Sequence, residues 1–339
     1  MRQPVPLLAR GTGLLIAAAV LLLLVLTSLA LGNRNIAPPV VLDALTHYDP
    51  TNFDHSVVIT QRVPRTLLAL GVGAALGLGG TLMQALTRNP LADPGLLGVN
   101  AGAALAIVLT IAAFGWTSPA SYAGVGIAGA AVAAFVVYRV SGSVSGQSDP
   151  VQLALAGTAV TALVEGGLIR AVLVLDYAAF DSFRSWDVGS LSGRTLESVA
   201  QVAPFVGAGL VMALALAGTL NVLSLGDQTA TALGARVGTV RLVAFVAVTM
   251  LSGSATAAAG PVGFVGLVVP FAVRAFTGPD YRWILPYSAL LAPILLLGAD
   301  VAARIMLGDE TELPVGLVTA LVGAPVFIAL ARRRKLATL

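Results

Sequence analysis

Apolar residues come in long runs separated by short polar breaks. The runs cover roughly 13–32, 63–86, 95–115, 119–138, 150–174, 198–221, 239–258, 261–275, 284–306 and 314–331. A helix of ~20 apolar residues crosses a bilayer core. The pattern therefore predicts ten transmembrane helices in one all-α polytopic membrane domain over residues 1–339. The eighth run, a Gly-rich stretch bracketed by Pro261 and Pro270, is short for a full crossing and is expected to be tilted or broken. Three breaks carry helix-start chemistry: Asp93-Pro94, Ser118-Pro119 and Asp149-Pro150 each read as an N-cap followed by proline at the first helical position. The first run follows Arg2 and Arg10 and ends near Ala30-Leu31-Gly32. It exceeds the ~7–15 apolar residues of a secretory signal core, so it reads as a retained helix.

Composition agrees with a lipid-embedded chain. Of 339 residues, 57% are hydrophobic and 10% charged, against ~25% charged in soluble domains. The 37 glycines suit close helix packing in lipid. With no cysteine, only His47 and His55, and Lys335 as the single lysine, thiol chemistry, a Cys- or His-based metal site and a phosphate-binding P-loop all drop out. If ATP drives this protein, the ATPase is a separate chain. The pI near 9.6 does not imply nucleic acid, because the arginines are scattered among apolar runs rather than gathered in a patch.

Arginine placement sets the expected orientation. With the N-terminus inside, the inner segments hold Arg2, Arg10, Arg88, Arg139, Arg236, Arg241, Arg274, Arg282 and the run Arg332 to Lys335. The outer segments hold Arg34, Arg62, Arg65, Arg184, Arg194 and Arg304, while acids lean outward. Both termini are then cytoplasmic and 176–197 is an extracytoplasmic loop. Helices 2–5 would begin outside and helices 7–10 inside, the topology of an inverted repeat.

Several segments are candidates for function, each beside a plainer reading. Residues 87–98, Thr-Arg-Asn-Pro-Leu-Ala-Asp-Pro-Gly-Leu-Leu-Gly, are distinctive, but a rigid turn would explain them. Within 223–236, Asp227 resembles an N-cap and Gly234 a C′ stop around a helix of about two turns, with Ala230 and Leu233 on one side. That helix suits docking to a partner or lying on the lipid surface. Arg62, Arg65 and Arg304 run against the charge bias, which fits pairing either with a partner's carboxylates or with local acids such as Asp300, Asp309, Glu310 and Glu312. Glu165 lies inside helix 5, where a charge costs at least ~2.5 kcal/mol. It is a pathway residue, with Thr158 and Thr161 on the same helix, or a structural partner of Arg170, or a residue at a helix end. The stretch Gly260 to Arg274 reads as packing or as a moving gate. An ion-coupled transporter would need more buried acids than Glu165 supplies, and a mere membrane scaffold would not need so many inner glycines.

Taken together, these residues resemble the FecCD-type permeases of ABC importers for iron-siderophores, haem and cobalamin. The likeness rests on Arg62-Val-Pro-Arg65, Gln84 with Arg88-Asn-Pro-Leu-Ala-Asp-Pro94, Leu97-Gly98, Trp186 with Gly189-Ser-Leu191, Leu223-Ser-Leu-Gly226, Ala232-Leu-Gly234, Gly263-Phe-Val-Gly-Leu267 with Pro270 and Arg274, Ala299-Asp300, Arg304, Glu312-Leu-Pro-Val-Gly316 and Gly323-Ala-Pro325. The resemblance implies a non-catalytic subunit paired with a second permease, a homologous partner being favoured over a second copy. It further implies two ATPase copies that carry ATP and Mg, and an extracytoplasmic binding protein that delivers the substrate. Leu225, Gly226, Asp227, Ala230, Leu233, Gly234 and Arg236 would couple to the ATPase. Arg62, Arg65 and Arg304 would meet the binding protein. The 86–102 and 224–234 segments look most like one half of a catecholate-siderophore permease, with no cofactor or metal of its own, in a bacterial inner membrane. One departure is Phe271, where the family usually has His after the proline.

Overall fold

The computed structural model describes residues 7–32, 34–116, 118–142, 150–175, 180, 183–184, 186–306 and 312–332. Among these residues the chain is all-helical. Seven helices are long and apolar enough to cross a membrane, and three shorter apolar helices, Val99–Phe114, Val265–Thr277 and Val315–Ala329, complete the ten expected.

The crossings are α1 (Leu7–Ala30), α3 (Phe53–Thr87), α4 (Val99–Phe114), α5 (Pro119–Val140), α6, α7 (Leu196–Ala215), α10 (Val237–Ala259), α11 (Val265–Thr277), α12 (Tyr281–Ile305) and α13 (Val315–Arg332). α6 runs from Pro150–Leu163 through a π segment, Val164–Ile169, to Arg170–Leu175. Three short helices connect them: α2 (Pro38–Thr46), α8 (Ala217–Leu223) and α9 (Asp227–Ala232).

Three predicted boundaries need correction, and one helix was not predicted. α3 begins at Phe53, ten residues before the apolar run. Asn52 caps it, accepting from the Asp54 N–H at 2.9 Å, and a π segment at Val58–Arg62 leads into the apolar part. The polar Asp54-His55-Ser56 hid this turn from a hydrophobicity reading. Asp93 does cap, accepting from the Gly95 N–H at 2.8 Å, but it caps a 3-10 turn at Pro94–Leu97. The α-helix starts only after Gly98 turns left-handed at φ 70°. The sixth run is two helices, α7 and α8, broken at Leu216. α2 was not expected at all; Val41 and Ala44 bury it against Leu29, Ile36 and Val58. Ser118 caps α5 as predicted, whereas Asp149 lies outside the described residues.

The eighth crossing is broken, as its length suggested. α11 has 13 residues, about 20 Å of helix, too little for a hydrocarbon core of ~30 Å. Residues 260–264 precede it as non-helical chain, with Gly260 at φ 74° and Phe264 at φ 68°. Non-helical backbone survives at such depth only when protein surrounds it. Here the described half of the 176–197 loop does so. Trp186 and Leu191 are buried, and the Ser190 N–H donates to Ala259 O at 2.7 Å. The Gly316 N–H closes the other side on Gly189 O at 3.1 Å. The expected outer loop is therefore packed into the bundle rather than hung from it.

α3 is the central helix. Of its apolar window 78% is buried, against 17% for α1 and for α6. Its glycines bring the neighbouring helices to backbone contact. A Cβ on Gly77 would lie 2.6 Å from Ser288 O of α12, and one on Gly80 only 1.7 Å from Gly266 O of α11. Approach this close maximises dispersion contact, which drives helix association where lipid removes the hydrophobic effect. α12 is antiparallel to α3 and parallel to α1, because Arg65 meets Asp300, Thr81 meets Ser288, and Tyr287 meets Arg10. The bundle thus has two polar ends, one at Arg65 and one at Arg88.

Candidate functional site

At the Arg65 end the structure gathers Arg34, Arg62, Arg65 and Arg304 around a cavity of about 210 Å³ that Glu312 also lines. Helical phase explains part of this. Arg62 and Arg65 lie one turn apart on α3, and Arg304 lies one turn after Asp300 on α12, so a single carboxylate reaches both helices. Asp300, fully buried, accepts from Arg65 Nε at 3.0 Å and Nη2 at 2.9 Å, and from Arg304 Nη2 at 2.8 Å. Glu312 takes Arg65 Nη1 at 2.7 Å. Arg304 also donates to Ser28 O at 3.0 Å and Ser28 Oγ at 2.7 Å, which pins the end of α1.

The local-pairing alternative is therefore what the subunit contains for Arg65 and Arg304, with Asp300 and Glu312 as the acids. Asp309 and Glu310 lie outside the described residues. Arg62 differs. It donates to Leu29 O at 2.7 Å and to Arg34 O, both neutral carbonyls, and no ion pair reaches it among the described residues. Arg34 itself pairs with Asp54 at 3.0 Å. Four guanidiniums thus face three carboxylates, Asp54, Asp300 and Glu312, and the surplus charge belongs to Arg62.

At the Arg88 end the short helix α9 occupies the predicted coupling segment. Its cap is Gly226, at φ 101°, and not Asp227. The Asp227 carboxylate points away from the helix start and bridges two arginines: Arg88 Nη2 at 2.5 Å and Arg241 Nη2 at 2.8 Å. Arg88 also donates to Leu223 O at 3.2 Å. Gly234 is the predicted C′ residue at φ 83°. The Ala235 N–H reaches Ala230 O and the Gly234 N–H reaches Thr231 O, both at 2.9 Å. That pair of bonds is the Schellman motif. Ala230 and Leu233 differ in burial: Ala230 is 0% exposed, whereas Leu233 is 63% exposed together with Leu225 at 60%. Arg236 forms the N-cap position of α10.

The three-way tie through Asp227 was not foreseen. It fixes α9 to the end of α3 and to the start of α10, so the distinctive 87–98 turn grips the coupling segment through Arg88. Nearby, burial pushes the Asp93 carboxyl above its usual range, opposed by the hydrogen bond from Gly95. Only the alternating prolines of that turn and the isolated arginine before them hinted at such a role.

The pathway candidates lie on α6. Thr158 and Glu165 are exposed and Thr161 half-buried, so this face points away from the subunit's own bundle. Glu165 sits in the π segment and makes no ion pair with Arg170, which removes the structural-pairing alternative. Among the described residues no group of three acidic or histidine side chains is placed to hold a metal ion.

Comparison with known proteins follows the same lines. The sequence model of the FecCD transport family matches residues 20–333. The ferric enterobactin transport system permease protein FepD of Escherichia coli (strain K12) is 46% identical over 317 residues, 93% of each chain. The probable siderophore transport system permease protein YfiZ of Bacillus subtilis (strain 168) is 39% identical, again over 93% of each. Among solved structures, a metal-chelate-type ABC transporter in an inward-facing conformation superposes with a TM-score of 0.83 at 27% identity, covering 95% of this chain and 99% of that one.

Proposed function

The chain belongs to the FecCD transport family, and from that premise we propose that it is the membrane subunit of an ATP-driven importer carrying an iron-siderophore, a ferric catecholate, across a bacterial inner membrane. The observation that carries the substrate class is the 46% identity to a ferric enterobactin permease over nearly the whole of both chains.

The geometry supports a division of labour. Two exposed leucines, Leu225 just before and Leu233 just after, flank α9, a helix bounded by Gly226 and Gly234 and tied by Asp227 to α3 and α10. A docked ATPase would seat on those leucines. Its motion on closing around nucleotide would pass through the tie into α3, the most buried helix, and so into the bundle. The chain's own work is to change which side of the pathway is open, with no covalent step. The exposed face of α6 with Thr158, Thr161 and Glu165 would line that pathway opposite a second permease, since an acid in lipid needs a watery or protein-lined surface.

At the other end, Arg62 carries a charge that no carboxylate pairs with among the described residues, held by two carbonyls, and that charge would draw an acidic residue of a binding protein to the cavity it shares with Arg34. Arg65 and Arg304 hold that cavity in shape through Asp300. Both termini would then face the cytoplasm, following the charge bias.

Reconstitution in liposomes tests this reading. With the ATPase and the binding protein present, uptake should select ferric catecholates over haem and cobalamin in competition, and should cease with an ATPase defective in nucleotide hydrolysis. Uptake that survives the defective ATPase refutes the import mechanism. Arg62→Glu should weaken binding-protein association at low salt and flatten its salt dependence; unchanged affinity removes the docking assignment.

A further inference from the structure

Between α1 and the pair α11–α12 runs an apolar groove of about 430 Å³, lined by Ile16, Ala17 and Val20 on one side and by Phe276, Leu291 and Ile294 on the other. It opens on an apolar face of α1. Leu15, Ile16 and Leu23 of α1 are 73%, 60% and 64% exposed, and none of the groove residues just named is polar.

One end of the groove is different. Arg10 and Tyr287 close it. The Tyr287 hydroxyl donates to the Arg10 backbone carbonyl at 2.7 Å, so that oxygen is already engaged. The Arg10 guanidinium lies 5.9 Å from the centre of the Trp283 ring, and its Nε is buried without a hydrogen-bond partner. No carboxylate pairs with it among the described residues. This end is the Arg88 end of the bundle, since α1 runs parallel to α12. Arginine, tryptophan and tyrosine together are the residues that settle at headgroup depth.

An occupant must therefore be apolar along its length and anionic at one end, at the depth of the bilayer interface. We infer that the groove is a binding site for an anionic phospholipid of that leaflet, with one acyl chain along α1 and the phosphodiester on Arg10. An arginine makes the better anchor here, because its planar fork binds phosphate through two donors. The stem packs on Trp283 while the charged head reaches the lipid. Bound this way, the lipid would brace α1, whose apolar window is otherwise only 17% buried, against α12.

The inference needs only a membrane-spanning chain and does not depend on the import reading. The test is native mass spectrometry of the intact assembly after exchange into equal amounts of phosphatidylglycerol and phosphatidylcholine. Wild type should retain phosphatidylglycerol in preference. Arg10→Ala should lose that preference by about tenfold, and Arg10→Lys should keep part of it. Val20→Trp, which fills the groove from a partly exposed position, should lower retention without touching the charge; it also keeps the test sound if the Arg10 variants fail to assemble. Equal retention by wild type and Arg10→Ala overturns the inference. So does a wild type that holds neither lipid, the result expected if residues 1–6 of the chain fill the groove. Because the readout is bound lipid, a failed uptake assay and a failed lipid assay are separate results.

Discussion

Asp300→Asn is the most direct probe of the arginine cluster. The wild-type carboxylate is fully buried and bridges two guanidiniums, accepting from Arg65 at 2.9–3.1 Å and from Arg304 at 2.8 Å. Asparagine keeps the shape but leaves one acceptor oxygen and turns an amide toward a guanidinium. The balance at the site shifts from two arginines against Asp300 and Glu312 to two against Glu312 alone. Removing one partner of a buried ion pair costs ~3–5 kcal/mol, because the charge left behind has no water to return to. The partial screening that applies to exposed pairs does not apply here, since Asp300 and Arg304 side chains are 0% and 4% exposed. Glu312→Gln is the control. Its side chain is 28% exposed and Arg65 keeps Asp300, so the expected loss is ~1 kcal/mol or less. Unfolding by sodium dodecyl sulfate titration in mixed micelles, followed by circular dichroism, measures both. A cycle with Arg304→Gln should show a coupling of ~1–3 kcal/mol, as expected for groups in one network. Asp300→Asn within ~1 kcal/mol of wild type, or no worse than Glu312→Gln, would show that the cluster is hydrated and that its charges do not depend on Asp300.

Other outcomes follow from the same geometry. Gly80→Ala should fail to assemble or unfold well below wild type, since its Cβ would lie 1.7 Å from Gly266 O, whereas Gly71→Ala, with nothing within 4 Å, should be neutral or gain ~0.5–1 kcal/mol from helix propensity; thermal unfolding in detergent separates them. Arg88→Ala should change stability by ~1 kcal/mol or less, because both it and Asp227 are more than a third exposed. It should nevertheless lower uptake per ATP hydrolysed, and an unchanged ratio would deny the tie a transmitting role. Burial raises the Asp93 pKa above its ordinary 3.8, so the folded chain holds this proton more tightly than the unfolded one. The contribution is full below that value and is lost as pH rises through the raised native pKa. Asp93→Asn keeps an acceptor for the Gly95 N–H and should flatten this part of the stability–pH curve; an unaltered curve would show the carboxyl to be solvated.

How much of this was legible in the sequence depends on what kind of information each feature needs. Ten crossings were readable because lipid imposes one rule on every helix, a run of apolar residues as long as the bilayer is thick, and that rule is local. The broken eighth crossing was readable for the same reason: Pro261, Pro270 and 13 helical residues cannot span. Gly234 as a stop was local too, since a left-handed C′ residue favours glycine. The polar turn of α3 and the whole of α2 escaped because neither forms a long apolar run, the one signal that was read.

The pairing of charges was decided elsewhere. Arg65 and Asp300 stand 235 positions apart, and Arg88 and Asp227 stand 139 apart. Nothing in the local pattern distinguishes an arginine that awaits a partner protein from one already neutralised inside its own subunit. Asp227 looked like a cap because caps are read from adjacent residues; two distant arginines claimed it instead. The sequence alone determined which segments enter lipid, because the cost of bare polar backbone in hydrocarbon is paid residue by residue. Only the packing of α3 against α12 and α10 determined which charges meet, because Coulomb attraction depends on distance in space, and the chain sets that distance only once it has folded.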